Sequence, residues 1–192
     1  MIEYKKRVIT EKPFDVIFRL IINMVLFAVL AFYIIMSFFT NARISGNSMN
    51  NTFMDGDVVL VNKRIYDIRP PKRYELSVFK PNEAALSEND VKRVVGLPGE
   101  TVQIIDGKVH INGHVLNDDV ISTRIYNAGL ALEPVRLEDD EYFVLGDNRN
   151  SSSDSRNSSV GKVKFSSIIG KPWWVIYPFS DFGGTKPEEV KE

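Results

Sequence analysis

The sequence of 192 residues lacks cysteine entirely and contains only two histidines, His110 and His114. Without cysteine the chain forms no disulfide, holds no thiolate metal site and offers no cysteine nucleophile. The scarcity of histidine limits any mechanism that needs an imidazole base. A charge imbalance is also absent, because 24 basic residues nearly cancel 25 acidic ones. The basic footprint typical of nucleic-acid binding is missing, so no nucleic-acid partner is expected.

A long uncharged segment near the N-terminus stands out from the rest of the composition. Residues 20–42 contain no charged side chain and are mostly apolar. As a helix rising about 1.5 Å per residue, the segment would reach roughly 34 Å, enough for a hydrocarbon core of about 30 Å. It is longer than the apolar core of a cleavable signal peptide, which has about 7–15 residues. We therefore expect a retained transmembrane helix rather than a cleaved leader or a buried core helix.

The flanking charges predict the orientation of this helix. Basic residues cluster before it, and only Arg43 follows closely. Because Lys and Arg favour the cytoplasmic side of a membrane, we expect residues 1–19 inside the cell and residues 43–182 outside it. Residues 183–192 are expected to form a polar tail. The preceding basic residues are Lys5, Lys6, Arg7, Lys12 and Arg19.

The region after residue 43 is typical of β-strands. Asp106-Gly107 and Asn112-Gly113 lie between alternating segments and predict two hairpin turns. No helical periodicity is sustained beyond the anchor. The predicted fold is mainly β, an antiparallel β-sheet domain preceded by one transmembrane helix. The β-branched and apolar runs are residues 57–63, 76–79, 91–95, 101–116 and 142–145.

Two further segments have weaker patterns. Residues 172–179 are short and aromatic, with Trp173, Trp174 and Tyr177, and we interpret them as a core strand. The alternative is an apolar edge at a membrane surface, where Trp and Tyr are enriched. Residues 117–140 are expected to form a loop-rich excursion.

A serine and a lysine have contexts in which they could carry chemistry. Ser48 follows a turn that contains Gly46, and a serine there can expose its hydroxyl beside backbone N–H groups. Lys92 and Arg93 are neighbours on a strand and point to opposite faces, so one of them faces inward unless the sheet bends. Lys92 is the better candidate for a buried titrating amine, since arginine stays charged. The alternative is that both side chains reach solvent at an edge.

Four motifs in a fixed order after the anchor resemble the bacterial type I signal peptidase family. Ser48-Met49 begins the first, and residues 56–63 match Gly-Asp-x-Val-x-Val-Asn-Lys. Residues 92–100 read Lys-Arg-Val-Val-Gly-Leu-Pro-Gly-Glu, and residues 146–156 match Gly-Asp-Asn-Arg-x-x-Ser-x-Asp-Ser-Arg. The last two motifs are long enough to be highly specific. The single anchor and short domain are similar to the Gram-positive form, and the fold implied is that of signal peptidase and LexA.

The resemblance implies roles for individual residues. Ser48 matches the nucleophile, which Met49 follows as in the family, and Lys92 matches the general base. Ser152 matches a serine that hydrogen-bonds the lysine. A lysine must be neutral to act as a general base, and burial can lower a lysine pKa by about 3–5 units from about 10.4. Ser-Lys pairs are a recognised variant of the Ser-His-Asp arrangement, and no metal or cofactor is expected.

Other matched residues support the site. Arg93 matches an arginine that pairs with the aspartate matched by Asp147, and Asp154 and Arg156 match structural residues. The chain departs from the family at two places near the nucleophile. Gly46 stands where some members carry a serine that assists the oxyanion hole, which here would rest on backbone N–H groups, chiefly that of Ser48. Asn51 stands where proline is usual, which predicts a looser turn.

The function implied is removal of signal peptides from exported preproteins at the outer membrane surface, after small residues at positions −1 and −3. The partners implied are signal peptides, membrane lipid and the secretion translocon. A Ser-His-Asp hydrolase is an alternative, but His110 and His114 flank a predicted hairpin tip. A LexA-like self-cleaving repressor lacks support because the chain has an anchor and no DNA-binding helix pair. The remaining alternative is a signal-peptidase-like protein dedicated to assembling surface structures such as pili, with few substrates or without cleavage.

Overall fold

The computed structural model describes residues 12–50, 52–81, 89–117 and 123–184. The chain divides into two compact units, with the boundary between Phe38 and Phe39. Several predictions fall outside the described residues: those on Lys5, Lys6, Arg7 and Asn51, on residues 118–122 of the loop-rich excursion, and on residues 185–192 of the tail.

The first unit contains one long helix, α1 (Pro13–Phe38). Proline suits the first turn of a helix because its missing N–H would have no partner there. The helix is long and apolar enough to cross a membrane, and its large apolar side chains are exposed. It begins seven residues before the predicted span of residues 20–42 and ends at Phe38, because residues 39–42 pair as a strand. Hydropathy alone does not separate a helix end from an apolar strand that follows it.

The second unit is built from antiparallel strands, as the sequence predicts. Its described residues also include a short α-helix, α2 (Ile65–Ile68), and short 3₁₀ turns. Each predicted β run holds at least one strand. The strands are β1 (Phe39–Arg43), β2 (Val58–Asn62), β3 (Leu76–Phe79), β4 (Asp90–Gly96), β5 (Thr101–Ile105), β6 (Lys108–Ile111), β7 (His114–Val115), β8 (Val135–Arg136), β9 (Glu141–Leu145), β10 (Val163–Lys164), β11 (Ile168–Tyr177) and β12 (Gly183–Gly184).

These strands form two sheets. The larger has the order β1-β2-β11-β3-β4-β9-β10, with β12 paired to β11, and the smaller has the order β7-β6-β5-β8. In the larger sheet, β4 lies between β3 and β9 and every residue of it from Val91 to Gly96 is buried. The strand that carries the matched lysine is therefore interior to the sheet rather than at its edge.

Both predicted hairpin turns are present in the smaller sheet. Asp106 and Gly107 join β5 to β6 with φ values of 52° and 78°, and Asn112 and Gly113 follow β6 with 52° and 83°. Two consecutive residues at positive φ are typical of a type I′ turn, whose twist matches that of the flanking strands.

The aromatic segment at residues 172–179 is a strand within the larger sheet, but the prediction that it is a core strand is only partly right. Val175 is buried in β11, whereas Trp173 and Trp174 are 49% and 40% exposed. Register shifts between Pro172 and Trp174 interrupt the pairing with β2, so the strict alternation of faces is lost. At the C-terminal end, Gly183 and Gly184 pair with β11 instead of belonging to a free tail.

Candidate active site

The loop that carries Ser48 is held by its neighbours. Met49 is 1% exposed and packs in one apolar cluster with Phe53, Val59 and Val91. The N–H groups of Thr52 and Phe53 both donate to the carbonyl of Met49, which makes a tight turn directly after Ser48. Burial of Met49 therefore anchors the loop and leaves the neighbouring Ser48 half-buried.

Lys92 lies on β4 and its side chain is only 2% exposed. It is opposite Ser77 of β3, so both side chains leave the sheet on the same face. Arg93 points to the other face and is also buried. Both residues are buried because β4 is an inner strand with both faces covered, so the alternative in which they reach solvent at an edge is wrong.

The structure brings Lys92 and Ser48 together from positions 44 residues apart in the chain. Nζ of Lys92 donates to Oγ of Ser48 at 3.0 Å. The same amine donates to Oδ1 of Asp90, an ion pair that the sequence reasoning did not foresee. A buried amine within hydrogen-bond distance of a hydroxyl has the geometry required of a general base and its nucleophile.

Ser48 and Lys92 line a cavity of about 290 Å³. The apolar residues Ile44, Met49 and Val91 line it, as do Gly46 and Asn47. The space is large enough for a short stretch of extended peptide with small side chains. The other lining residues are Arg43, Ser45, Pro81, Asn89, Asp90, Ser151 and Ser153.

Arg93 and Asp147 form a buried pair, as the resemblance implies. Leu145 of β9 is opposite Arg93, and Asp147 lies two residues beyond Leu145. Nε and one terminal nitrogen of Arg93 donate to the two carboxylate oxygens of Asp147 at 2.8 and 2.6 Å. The hydroxyl of Thr52 donates to the same carboxylate. This bidentate pair therefore connects β4, the segment after β9 and the loop of the nucleophile.

Asp154 and Arg156 also pair, and they fix the segment from 146 to 156. Arg156 donates to both carboxylate oxygens of Asp154 at 2.8 Å. Asp154 accepts in addition from the N–H of Gly146, and Arg156 donates to the carbonyl of Arg149. Buried charged residues therefore fix the two ends of this segment, while Asn150, Ser151 and Ser153 between them are exposed.

Ser152 does not make the hydrogen bond to Lys92 that the resemblance implies. Its hydroxyl is buried and has no hydrogen-bond partner in the described part of the chain. The amine of Lys92 is instead engaged by Ser48 and Asp90. The Ser152 hydroxyl lies against Gly146, where a Cβ would come within 2.2 Å of it and within 2.6 Å of the Ser48 carbonyl.

Two other predicted features can be located. Gly46 adopts a φ of +78°, and its N–H donates to Asp55 at 2.7 Å. His110 and His114 lie on β6 and β7 of the smaller sheet and do not line the cavity. Asn51 lies outside the described residues, so the looser turn expected there stays a prediction.

The family model described as "Signal peptidase, peptidase S26" matches residues 17–177. The chain belongs to this signal peptidase family. It is accordingly a serine endopeptidase. Among its relatives, a probable signal peptidase I-2 from Synechocystis is 36% identical over 155 residues, which are 78% of this peptidase and 68% of the relative.

Two further matches are a Bacillus relative and a solved structure from Enterococcus. Signal peptidase I T from Bacillus subtilis is 35% identical over 150 residues, covering 74% of this peptidase and 76% of the relative. A crystal structure of a signal peptidase I from Enterococcus faecalis shares 32% identity. This structural match covers 54% of this peptidase and 97% of the Enterococcus chain, with a TM-score of 0.45.

Proposed function

We propose that this peptidase is a type I signal peptidase that removes signal peptides from exported preproteins by means of Ser48 and Lys92. The names of the curated relatives support signal peptidase I activity. The observation that carries the assignment of the reacting residues is the 3.0 Å hydrogen bond from the Lys92 amine to the Ser48 hydroxyl.

In the proposed reaction Ser48 attacks the scissile carbonyl while the neutral amine of Lys92 accepts the proton of the hydroxyl. The C–N bond then breaks, the proton passes from Lys92 to the leaving amine, and an ester to Ser48 remains. Lys92 next takes a proton from a water molecule, which attacks the ester. The proton then passes from Lys92 to Oγ of Ser48 as the cleaved signal peptide is released with a new carboxyl end. Two buried ion pairs, Arg93 with Asp147 and Asp154 with Arg156, hold this site in place. They fix β4, which carries Lys92, together with β9 and the loop that carries Ser48.

The developing oxyanion needs hydrogen-bond donors near Ser48. The N–H of Ser48 has no hydrogen-bond acceptor among the described residues, so it is available for this role. Gly46 has no side-chain hydroxyl to add a second donor, in contrast to the family members that carry serine there. We therefore assign stabilisation of the oxyanion to backbone N–H groups, chiefly that of Ser48.

The proposed location of the reaction is the outer surface of the membrane. An exposed apolar helix near the N-terminus supports an anchor, and the basic residues before it support a cytoplasmic N-terminus. Ser48 follows the helix by ten residues. Signal peptides would then meet the cavity where they emerge from the bilayer, with small residues at −1 and −3 facing its wall.

The test is incubation of the detergent-solubilised full chain with a synthetic preprotein peptide that has alanine at −1 and −3. We expect a single cut after the −1 residue by the wild type and none by Ser48→Ala. Replacing the −1 alanine by a bulky residue is the matched substrate control. Absence of cleavage by the wild type would favour the alternative of an assembly factor that does not cut.

A further inference from the structure

Asp90 contacts the Lys92 amine, and the family resemblance gives Asp90 no role. It lies two residues before Lys92 on β4, so both side chains leave the strand on the same face. Its Oδ1 accepts from the Lys92 amine and, at 2.8 Å, from the N–H of Val91. The backbone bond fixes the carboxylate, and the carboxylate in turn fixes the amine beside Ser48. The Asp90 side chain is 28% exposed and that of Lys92 is 2% exposed, and both residues line the cavity.

The charged groups around the Lys92 amine are few in the described part of the chain. Those lining the cavity are Arg43 from β1, Asp90 and Lys92 itself. Opposite Lys92 on β3 stands the uncharged Ser77, and the loop of the nucleophile and the segment after β9 contribute uncharged serines. The carboxylates of that last segment, Asp147 and Asp154, are bound to arginines. Asp90 is therefore the carboxylate that acts directly on the amine.

We propose that Asp90 is a positioning residue that holds the Lys92 amine in line with Ser48 and favours its protonated form, which limits cleavage at low pH. This inference rests on the proposed function of Lys92 as the base. Attack requires an unprotonated amine, because the proton of the Ser48 hydroxyl must move to Nζ. A carboxylate beside the amine stabilises the ammonium form, so the active form is reached only at higher pH.

The test compares Asp90→Asn and Asp90→Glu with the wild type by measuring kcat/KM for the synthetic peptide across pH. The amide oxygen of asparagine can still accept from Lys92 and from Val91, but it carries no charge. We expect the acid limb of Asp90→Asn to move to lower pH by about one unit, giving up to about tenfold faster cleavage on that limb. Asp90→Glu keeps the charge and should keep the limb close to that of the wild type.

A control variant separates this effect from a change in net charge. Asp67→Asn removes one carboxylate from an exposed pair with Arg64 on α2, so it should leave the profile unmoved. The inference is overturned if the acid limb of Asp90→Asn coincides with that of the wild type, if Asp90→Glu moves as far as Asp90→Asn, or if folded Asp90→Asn is inactive at every pH. Failure of the proposed function is a different result, namely cleavage by Lys92→Ala.

Discussion

At the scale of single residues, the candidate site depends on side chains that are buried with their partners. Arg93 and Asp147 are 4% and 2% exposed and satisfy each other through two hydrogen bonds. Lys92 is equally buried but contacts the proposed nucleophile, Ser48, on one side and the carboxylate of Asp90 on the other. The pair of Arg93 and Asp147 stabilises the scaffold, and the contacts of Lys92 hold the proposed base beside Ser48.

Breaking the pair of Arg93 and Asp147 should make the domain easier to unfold. Asp147→Asn leaves the Arg93 guanidinium buried without its countercharge, which costs about 3 kcal/mol or more of unfolding free energy. Asp67→Asn breaks an ion pair whose side chains are 55% and 58% exposed, and it should cost about 0.5 kcal/mol or less. Denaturant unfolding of both variants measures the two losses of unfolding free energy. Equal losses would contradict a stabilising role for the buried pair.

At Gly146 a single added methyl group should lower the activity of the folded protein. A Cβ there would meet Ser152 and the carbonyl of Ser48 at 2.2–2.6 Å, so Gly146→Ala must displace the loop of the nucleophile. We expect kcat/KM to fall about a hundredfold, since misplacement by about 1 Å costs that much. Gly96→Ala also clashes, at 2.6–2.8 Å, but with Val102, Leu137 and Phe143 of the core. That control should lose stability while its folded fraction keeps its activity.

At the scale of elements, Glu75 joins three of them. It lies just before β3, accepts two hydrogen bonds from Arg69 after α2 and one from the N–H of Lys72, and pairs with Lys171 of β11. Burial by itself would raise the pKa of Glu75, but the hydrogen bonds from Arg69 and Lys72 and the charge of Lys171 outweigh it and lower the pKa to about 2.

The depressed pKa of Glu75 predicts a pH-dependent contribution to stability. Because the folded state favours the carboxylate, this contribution is present above the unfolded pKa of about 4.3 and is lost as pH falls toward 2. The difference in unfolding free energy between the wild type and Glu75→Gln should therefore shrink from pH 5 to pH 2.5. Measuring both proteins at the two values tests this, and a constant difference would contradict it.

The elements were largely predictable because their signals are local. Alternating residues and the Asp-Gly and Asn-Gly pairs specify strands and turns within short windows of sequence. The exposure of Trp173 and Trp174 was not predictable, since a short apolar run does not tell which face is covered. Likewise, the contacts of Asp90 with Lys92 and of Thr52 with Asp147 depend on register and on packing between distant segments. The proximity of Ser48 and Lys92 came only from the family resemblance.

At the scale of the whole molecule, the account predicts an anchored enzyme with its catalytic domain outside the cell. The topology can be tested with right-side-out membrane vesicles that carry the full chain with an N-terminal tag. Added protease should remove the domain after Phe39 while the tag stays protected. A degraded tag with a protected domain would reverse the orientation that the basic residues before α1 predict.

The central claim is that the buried amine of Lys92 is the base for Ser48. The most direct measurement is kcat/KM of purified Lys92→Ala with the synthetic preprotein peptide, alongside its thermal unfolding. The account predicts a folded protein whose cleavage rate falls by a factor of roughly a thousand or more, as when one member of a nucleophile–base unit is removed. Cleavage by folded Lys92→Ala at a rate near that of the wild type would contradict it.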